Sequence, residues 1–276
     1  MNDAEMYVIV CGGFDDIRSQ DIRFLQEAAR FGPLCVLLWD DESLHSVTGR
    51  KPKFPQEERL YFLQAIRYVN RVYPTAQPTN SDMLPLIKDL DISMWIVRQN
   101  DDNTAKRDFC KGNKLEYRII KKADLTGFPD TDETEIRETS RKKVLVTGCY
   151  DWFHTGHVRF FEEVSELGDL YVVIGHDANV RALKGEGHPM LPQAERRYMA
   201  QSIRYVKQAL ISTGHGWLDA EPEIKRIKPD IYAVNEDGDK PEKRKYCREH
   251  GIEYVVLKRL PKPGLPRRDS TVLRGF

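Results

Sequence analysis

The stretch that decides the fold is residues 143–161, with the sequence KVLVTGCYDWFHTGHVRFF. Its first five residues, KVLVT, have the continuous apolar and β-branched character of a strand that is buried on both faces. Residues 158–167 have the apolar period of an amphipathic helix, and the change of pattern falls at Gly148. The sequence therefore predicts a strand, a glycine turn and a helix in direct succession.

Two histidines stand at the start of the predicted helix. His154 and His157 are three residues apart, so both rings project from one side of the first turn. Gly156 between them has no Cβ and lets a ligand approach the backbone. Unpaired N–H groups and the positive end of the helix dipole favour an anion at the same place. We interpret the turn as a phosphate site to which two imidazoles add hydrogen-bond donors.

Two other interpretations of the histidines remain open at this point. A pair of polar residues on an exposed helix start would need no function. A zinc site lacks a third ligand at the usual spacing, because Cys149 precedes His154 by five residues in a tight turn. The order of the strand, Gly148, Asp151 and the two histidines favours a nucleotide site over both alternatives.

Composition sets broad limits on the class of protein. The 276 residues are enough for two domains, and the 43 basic and 43 acidic residues give no indication of a nucleic-acid or anionic-membrane partner. We find neither a signal-peptide pattern nor an apolar window of about 18 residues. Five cysteines without a CxxC spacing indicate reduced thiols. These features predict a cytoplasmic protein without a membrane span.

The first half of the chain repeats the second. Residues 7–15 align with residues 143–151 at an offset of 136, and the tetrapeptide IRYV occurs at both 66–69 and 203–206, an offset of 137. An offset that stays nearly constant over more than a hundred residues predicts a duplicated domain.

Strands alternate with helices in both copies. Strands are predicted at residues 7–11, 34–39, 94–97, 144–147, 170–174, 209–212, 231–234 and 254–257, and first-copy helices near 22–29, 56–69 and 105–111. This alternation predicts an α/β fold of two Rossmann-like domains with doubly wound parallel sheets, whose ligands bind beyond the carboxyl ends of the strands. We place the domains at residues 1–129 and 143–276. The charged segment 130–142 is predicted to be a solvated linker, with a brief helix as the alternative.

The motif at residues 148–157, GCYDWFHTGH, resembles the signature G-x-F/Y-D-x-x-H-x-G-H of the cytidylyltransferase-like nucleotidyltransferases. The resemblance covers residues 143–276 well, and residues 7–129 are a degenerate copy of the same domain. It implies transfer of a nucleotidyl group from CTP or ATP to a phosphorylated small molecule, with release of pyrophosphate. It also implies Mg²⁺ as cofactor, although no metal-ligating residue can be read from the sequence.

The resemblance also assigns site residues one by one. The implied catalytic residues are His154, His157 and Lys184. The implied nucleotide-binding residues are Gly148, Tyr150, Asp151, Gly156, Asp237, Arg267, Arg268, Ser270 and Thr271. The implied acceptor-binding residues are Asp177, Arg196 and Trp217.

Several of these positions have structural alternatives. Ser270 and Thr271 are also ordinary helix N-caps, and Lys184 could be a solvated loop lysine. Arg196 has a counterpart, Arg59, in the first copy, which makes a structural role equally compatible with the sequence. Whether Arg267 or Arg268 contacts phosphate stays open.

The first copy lacks the chemistry of the second. Arg18 and Asp21 stand in place of the two histidines, and Gln20 replaces the glycine between them. An aspartate at a helix start would repel phosphate, so we predict an inactive first domain. For the second domain the resemblance favours cytidylyl transfer from CTP to a small phosphorylated alcohol or polyol. Adenylyl transfer to a sugar phosphate and a non-catalytic nucleotide sensor or scaffold are the alternatives.

The repeated IRYV segment predicts a role for the first domain. In the family, the arginine-tyrosine-valine segment lies at the interface between two catalytic domains. We therefore expect an intramolecular pseudo-dimer, and leave a further homo-oligomer open; the alternative is that IRYV is the buried end of the same helix in each copy. An isolated segment 143–276 should self-associate in analytical ultracentrifugation or be poorly soluble, and Arg67→Glu should lower activity of the full chain. A soluble, monomeric and fully active second domain would contradict this prediction.

Overall fold

The computed structural model describes residues 6–75, 80–85, 87, 90–129, 135–270 and 273. The chain divides into two compact units, Met1–Gly127 and Phe128–Phe276. Within the described ranges, no helix has both the length and the apolar character needed to cross a membrane.

The first unit contains one parallel sheet with helices beside it. Its strands are β1 (Tyr7–Gly12), β2 (Leu34–Leu38), β3 (Arg71–Pro74), β4 (Ile92–Arg98) and β5 (Glu116–Ile120), and its helices are α1 (Ser19–Ala28), α2 (Asp41–Thr48), α3 (Gln56–Ala65) and α4 (Thr104–Gly112). The strands lie in the order β3-β2-β1-β4-β5. The central strand β1 has its apolar residues 8–10 fully buried, as the continuous apolar pattern predicts.

The second unit has the same architecture. Its strands are β6 (Lys143–Gly148), β7 (Asp169–Ile174), β8 (Val206–Ile211), β9 (Ile231–Asn235) and β10 (Glu253–Leu257), and its helices are α5 (Thr155–Leu167), α6 (Asp177–Lys184), α7 (Gln193–Gln201), α8 (Glu221–Ile227) and α9 (Pro241–Glu249). The sheet order β8-β7-β6-β9-β10 repeats the order of the first sheet, with β6 in the central place of β1. The predicted α/β fold with two parallel sheets is confirmed.

Helix α3 is shorter than the sequence predicts. It ends at Ala65 rather than residue 69, because Ile66 adopts an extended conformation with φ −76° and ψ 127°. Residues 66–69 therefore form the connection between α3 and β3. Strands β3 and β5 were not predicted, since each keeps several residues exposed and β3 ends in a proline.

The glycines that end β1 and β6 accommodate an aromatic ring. Tyr150 and Phe14 both have left-handed backbones, with φ of 51° and 48°. This conformation folds each ring back onto the strand end, so a Cβ added at Gly148 would lie 2.8 Å from the Tyr150 ring. A Cβ at Gly12 would lie 3.2 Å from the Phe14 ring. A side chain at Gly148 would require the ring to move, and one at Gly12 would make a tight contact with it.

The described part of the predicted linker, residues 135–142, is mostly exposed and contains no helix, and hydrogen bonds attach it to β7 and β8. The Gln208 side chain donates to the Glu135 carbonyl at 2.8 Å and accepts from the Arg137 N–H at 2.9 Å. The Thr139 hydroxyl donates to Asp169 at 2.6 Å. These bonds satisfy the backbone in an extended path, which removes the need for a helical turn.

Candidate active site

The two motif histidines are held together by the start of helix α5. His154 is the N-cap residue, and its Nδ1 accepts a hydrogen bond from the Gly156 N–H at 3.0 Å. The Nδ1 of His157 accepts from the His154 N–H at 3.3 Å. The two rings stack with centroids 4.0 Å apart and planes 29° from parallel. The helix cap thus fixes both imidazoles side by side.

These bonds define which nitrogen of each neutral ring carries the proton. An Nδ1 that accepts a backbone N–H must carry a lone pair, so the proton of each neutral imidazole is on Nε2. His154 and His157 therefore present Nε2–H donors without needing a positive charge. Protonation at Nδ1 would instead break a capping hydrogen bond.

Aromatic side chains pack against the ring of His157. The His157 ring lies 5.3 Å from the Tyr150 centroid and 5.2 Å from the Phe153 centroid. Tyr150 in turn packs edge-on against Phe161 of α5, at 5.2 Å. Burial raises the pKa of the Tyr150 hydroxyl far above its usual value, so this side chain stays neutral. Its place in the structure is against Gly148 and His157.

Asp151 binds the loop that follows helix α6. Its side chain is buried, 2% of the residue being exposed. Oδ1 accepts from the backbone N–H groups of Met190 and Leu191, at 2.8 and 2.9 Å. The carboxylate thereby connects the turn after β6 to the loop 185–192. That Asp151 also binds nucleotide stays a prediction.

Arg196 of helix α7 joins four segments at the edge of the sheet. Nε donates to the Leu191 carbonyl at 2.9 Å, and Nη1 donates to the Cys149 carbonyl at 2.7 Å. Nη2 donates to the Gly175 carbonyl at 2.8 Å and to Oδ1 of Asp177 at 2.7 Å. The residue is completely buried. These contacts make Arg196 a positioning residue for the loops, and its predicted contact with the acceptor stays a prediction.

The first unit repeats both networks. Asp15 accepts from the backbone N–H groups of Lys53 and Phe54, at 2.8 and 2.9 Å. Arg59 donates through Nε to the Phe54 carbonyl at 3.0 Å and pairs with Asp41 through Nη2. Asp15, Arg59 and Asp41 are the sequence counterparts of Asp151, Arg196 and Asp177. The networks are therefore present with and without the histidine pair.

Lys184 is the last residue of α6 and stands at the start of the loop that Asp151 holds. Its side chain is exposed and forms no ion pair within the ranges the structure describes. Gly185 and Gly187 follow with φ of 87° and 81°, values that favour glycine. The counterpart of Lys184 in the first unit is Thr48, so that unit also lacks this charge.

The segment before the C-terminus lies at the histidine turn. The Ser270 hydroxyl donates to the Trp152 carbonyl at 3.3 Å. The Arg268 carbonyl lies only 3.7 Å from the place that a Cβ at Gly156 would occupy. Arg267 is exposed and Arg268 is half-buried. Thr271 lies outside the described residues, and phosphate binding by this segment stays a prediction.

Arg259 is a candidate site residue that sequence reasoning missed. It follows β10 and donates through Nη1 to Oδ2 of Asp237 at 2.7 Å. Its Nη2 lies 3.6 Å from Oδ2 of Asp269 and donates to the Arg268 carbonyl at 3.4 Å. Asp237, predicted to bind nucleotide, is thus linked by Arg259 to the segment at the histidine turn. The position of Arg259 just beyond the carboxyl end of a strand could have identified it.

The predicted acceptor residues lie on segments that follow β7 and β8. Trp217 is 52% exposed in a short 3-10 turn, Gly216–Leu218. The Asn179 side chain of α6 accepts from the Gly216 N–H at 2.8 Å and donates to the Gly216 carbonyl at 3.0 Å. The Trp217 turn is therefore tied to α6, the helix that also carries Asp177 and Lys184.

Comparison with known proteins gives the family. The profile of the family described as cytidylyltransferase-like matches residues 145–259. The FAD synthase of Thermococcus kodakarensis is 38% identical over 126 residues, which are 44% of this chain and 83% of that protein. The FAD synthase of Ferroglobus placidus is 35% identical over 120 residues, or 42% of this chain and 75% of that protein.

A further relative is longer than this chain. The bifunctional protein HldE of Nitratiruptor sp. is 35% identical over 131 residues, which are 44% of this chain and 28% of that protein. The chain belongs to the cytidylyltransferase-like family, and it is a nucleotidyltransferase.

We predict that Arg196→Lys loosens the second site without unfolding the sheet. A lysine has three donors instead of five and cannot reach the three carbonyls and Asp177 together, so buried acceptors lose their partners. The local cost should be about 1–3 kcal/mol. Hydrogen-deuterium exchange should show faster exchange in residues 185–192.

The matched control for this variant is Arg59→Lys, the equivalent change in the first unit. It should accelerate exchange in residues 49–55 and leave residues 185–192 as in the wild type. Unchanged exchange of the second loop in Arg196→Lys would show that the guanidinium does not hold that loop.

Proposed function

We propose that the second domain transfers a nucleoside monophosphate from a nucleoside triphosphate to the phosphate of a small acceptor, releasing pyrophosphate. The observation that carries this proposal is the stacked pair His154 and His157 at the start of α5. Both rings stand at the N-terminal, positive end of α5, and each neutral ring keeps a proton on Nε2 that it can donate. The space beside Gly156 is taken by the His154 ring and the Arg268 carbonyl, so the approach that the sequence predicts at this glycine is filled by protein atoms. Such an arrangement binds phosphate oxygens rather than a metal or a hydrocarbon.

The proposed reaction is an in-line displacement at the α-phosphorus. A phosphate oxygen of the acceptor forms the new bond, and the bond from the α-phosphorus to the oxygen that bridges to the β-phosphorus breaks. Pyrophosphate leaves with that electron pair. The two histidines stabilise charge on the bridging and leaving oxygens, and Lys184 neutralises charge on the α-phosphate. No protein nucleophile is required, because positioning and charge stabilisation supply the rate.

ATP is the first candidate donor. Two of the relatives above are FAD synthases, enzymes that transfer an adenylyl group from ATP. An adenylyl transfer to a phosphorylated acceptor other than a sugar therefore stands beside the sugar phosphate considered from the sequence. The exposed ring of Trp217 suits an acceptor with an apolar or aromatic part. CTP is the second candidate donor, favoured by the motif itself.

The site is compatible with Mg²⁺ brought in by the triphosphate. The described residues contain no group of three histidine, cysteine, aspartate or glutamate side chains that would hold a metal by themselves. The Asp151 carboxylate accepts two backbone N–H bonds, and Asp177 pairs with Arg196. Mg²⁺ commonly binds substrate phosphates and keeps several waters, so it needs few protein ligands. Bound there, it would neutralise charge on the phosphates.

The experiment that tests the proposal is a cross-panel of triphosphates and phosphorylated acceptors with the full chain. Pyrophosphate release and the mass of the product are measured for each pair. We expect one pair to give a product heavier than the acceptor by one nucleoside monophosphate residue. Tight nucleotide binding without pyrophosphate release from any pair would favour the sensor or scaffold alternative instead.

We predict that His157→Ala lowers kcat by about two to three orders of magnitude, because it removes one preorganised donor to the reacting phosphates. For His154, asparagine is the better replacement, since it can still cap the helix while removing the imidazole. Steady-state kinetics with the active pair is the measurement, and circular dichroism checks the fold. Asp21→Asn in the first unit, which keeps an acceptor for the helix cap, is the positional control and should leave kcat unchanged. Near-normal turnover in both histidine variants would exclude this assignment.

We predict that Lys184→Ala lowers kcat more than it raises KM. Its charge should matter most as the α-phosphate passes through the transition state, so the loss appears in the chemical step. The matched control is Arg181→Ala, which removes another exposed charge of the same helix. A change in KM alone would make Lys184 a binding residue.

A further inference from the structure

The first unit has a cleft at the carboxyl ends of its central strands. Its volume is about 440 Å³, within the range of small-ligand sites. Four aromatic side chains line it, together with seven polar or charged side chains. Lining residues that matter for its chemistry are Phe14, Trp39, Thr48, Trp95, Arg98 and Lys106.

The side of this cleft that corresponds to the predicted phosphate site carries a carboxylate that is paired with an arginine. Asp21 takes the place of His157, and its Oδ2 accepts from the Arg18 N–H at 2.8 Å. Its Oδ1 pairs with Nη2 of Arg98 at 2.7 Å, and the Arg98 guanidinium lies over the Phe24 ring at 4.5 Å. The carboxylate thus accepts the N–H at the helix start and also pairs with the guanidinium of the nearby arginine. A phosphate brought here would find the helix start and the arginine already bound to a carboxylate.

The opposite side of the cleft keeps the arrangement of the second unit. Lys106 donates to the Asp101 carbonyl at 2.8 Å and pairs with Asp82 at 3.1 Å. Its counterpart Lys243 donates to the Gly238 carbonyl at 3.3 Å. Because Lys106 is already paired, it adds no free positive charge that would attract an anion.

One residue of the cleft wall carries a buried donor whose acceptor is not among the described residues. Trp95 is 1% exposed, and its indole Nε1–H has no acceptor among the residues that the structure describes. A buried N–H without an acceptor costs free energy, which a ligand acceptor such as a ring nitrogen or carbonyl would relieve. The cleft thus combines four aromatic side chains, one such donor and a side on which Asp21 already takes the donors that a phosphate would need.

We propose that the first unit binds an uncharged nucleoside and excludes the corresponding nucleotide. A planar base suits the aromatic rings of Phe14 and Trp39, and the cleft has the volume for a base with its ribose. The Asp21 carboxylate selects against a 5′-phosphate. The domain that lacks the histidine pair then binds an uncharged ligand, whereas the second domain binds phosphate groups.

The test is binding of adenosine and cytidine, each compared with its 5′-monophosphate, to the full chain. Isothermal titration should detect a nucleoside, and hydrogen-deuterium exchange should show protection in residues 12–15 and 95–98. Protection confined to the second unit, or no binding of either nucleoside, would overturn the proposal.

Two variants and one control make the assignment specific. Thr48→Trp fills the cleft and should weaken nucleoside binding about tenfold or more, whereas Lys111→Trp, an exposed change on α4 that does not line the cleft, should not. Asp21→Asn keeps an acceptor for the helix cap but removes the charge. It should improve monophosphate binding about fivefold relative to nucleoside. A monophosphate that binds as tightly as its nucleoside before this change would contradict the exclusion.

Discussion

The buried guanidinium of Arg196 is the interaction on which the second site depends. A parallel sheet ends in loops whose carbonyl groups need partners, and an active site at that edge must leave room for substrate. One planar group with five donors satisfies the turns after β6 and β7 and the loop before α7 together. Asp151 completes the frame from the other side by accepting the loop N–H groups. These contacts hold the turn that carries the histidines in place.

The first unit shows that this frame and the chemistry are separate properties of the chain. Arg59 and Asp15 make the same contacts as Arg196 and Asp151, although no histidine pair stands beside them. A residue present in both copies is therefore explained by the frame. The functional difference must be sought in residues that differ between the copies, and Lys184 is one of them, since its counterpart is a threonine.

Sequence reasoning was reliable where a residue type has one dominant physical use. Continuous apolar runs identified the central strands, because only a strand buried on both faces has that pattern. It could not separate the roles of Arg196, since an arginine that binds phosphate and one that binds carbonyls look alike in sequence. Likewise, Ile66 and Val69 are core residues, so their recurrence at 203 and 206 follows from burial. The predicted pseudo-dimer is therefore supported only by the recurrence of the arginine and the tyrosine between them.

The starts of α1 and α5 explain how the histidine site could be lost without loss of the fold. Both helices need an acceptor at the third position for the N-cap N–H, and His157 supplies it with Nδ1 while Asp21 supplies it with Oδ2. The helix is capped in either case. The histidine, however, keeps a second nitrogen that can donate a proton in a hydrogen bond, whereas the aspartate has only acceptors. The same structural requirement is therefore met by two residues with opposite preferences for phosphate, and on our proposals this difference separates the ligands of the two domains.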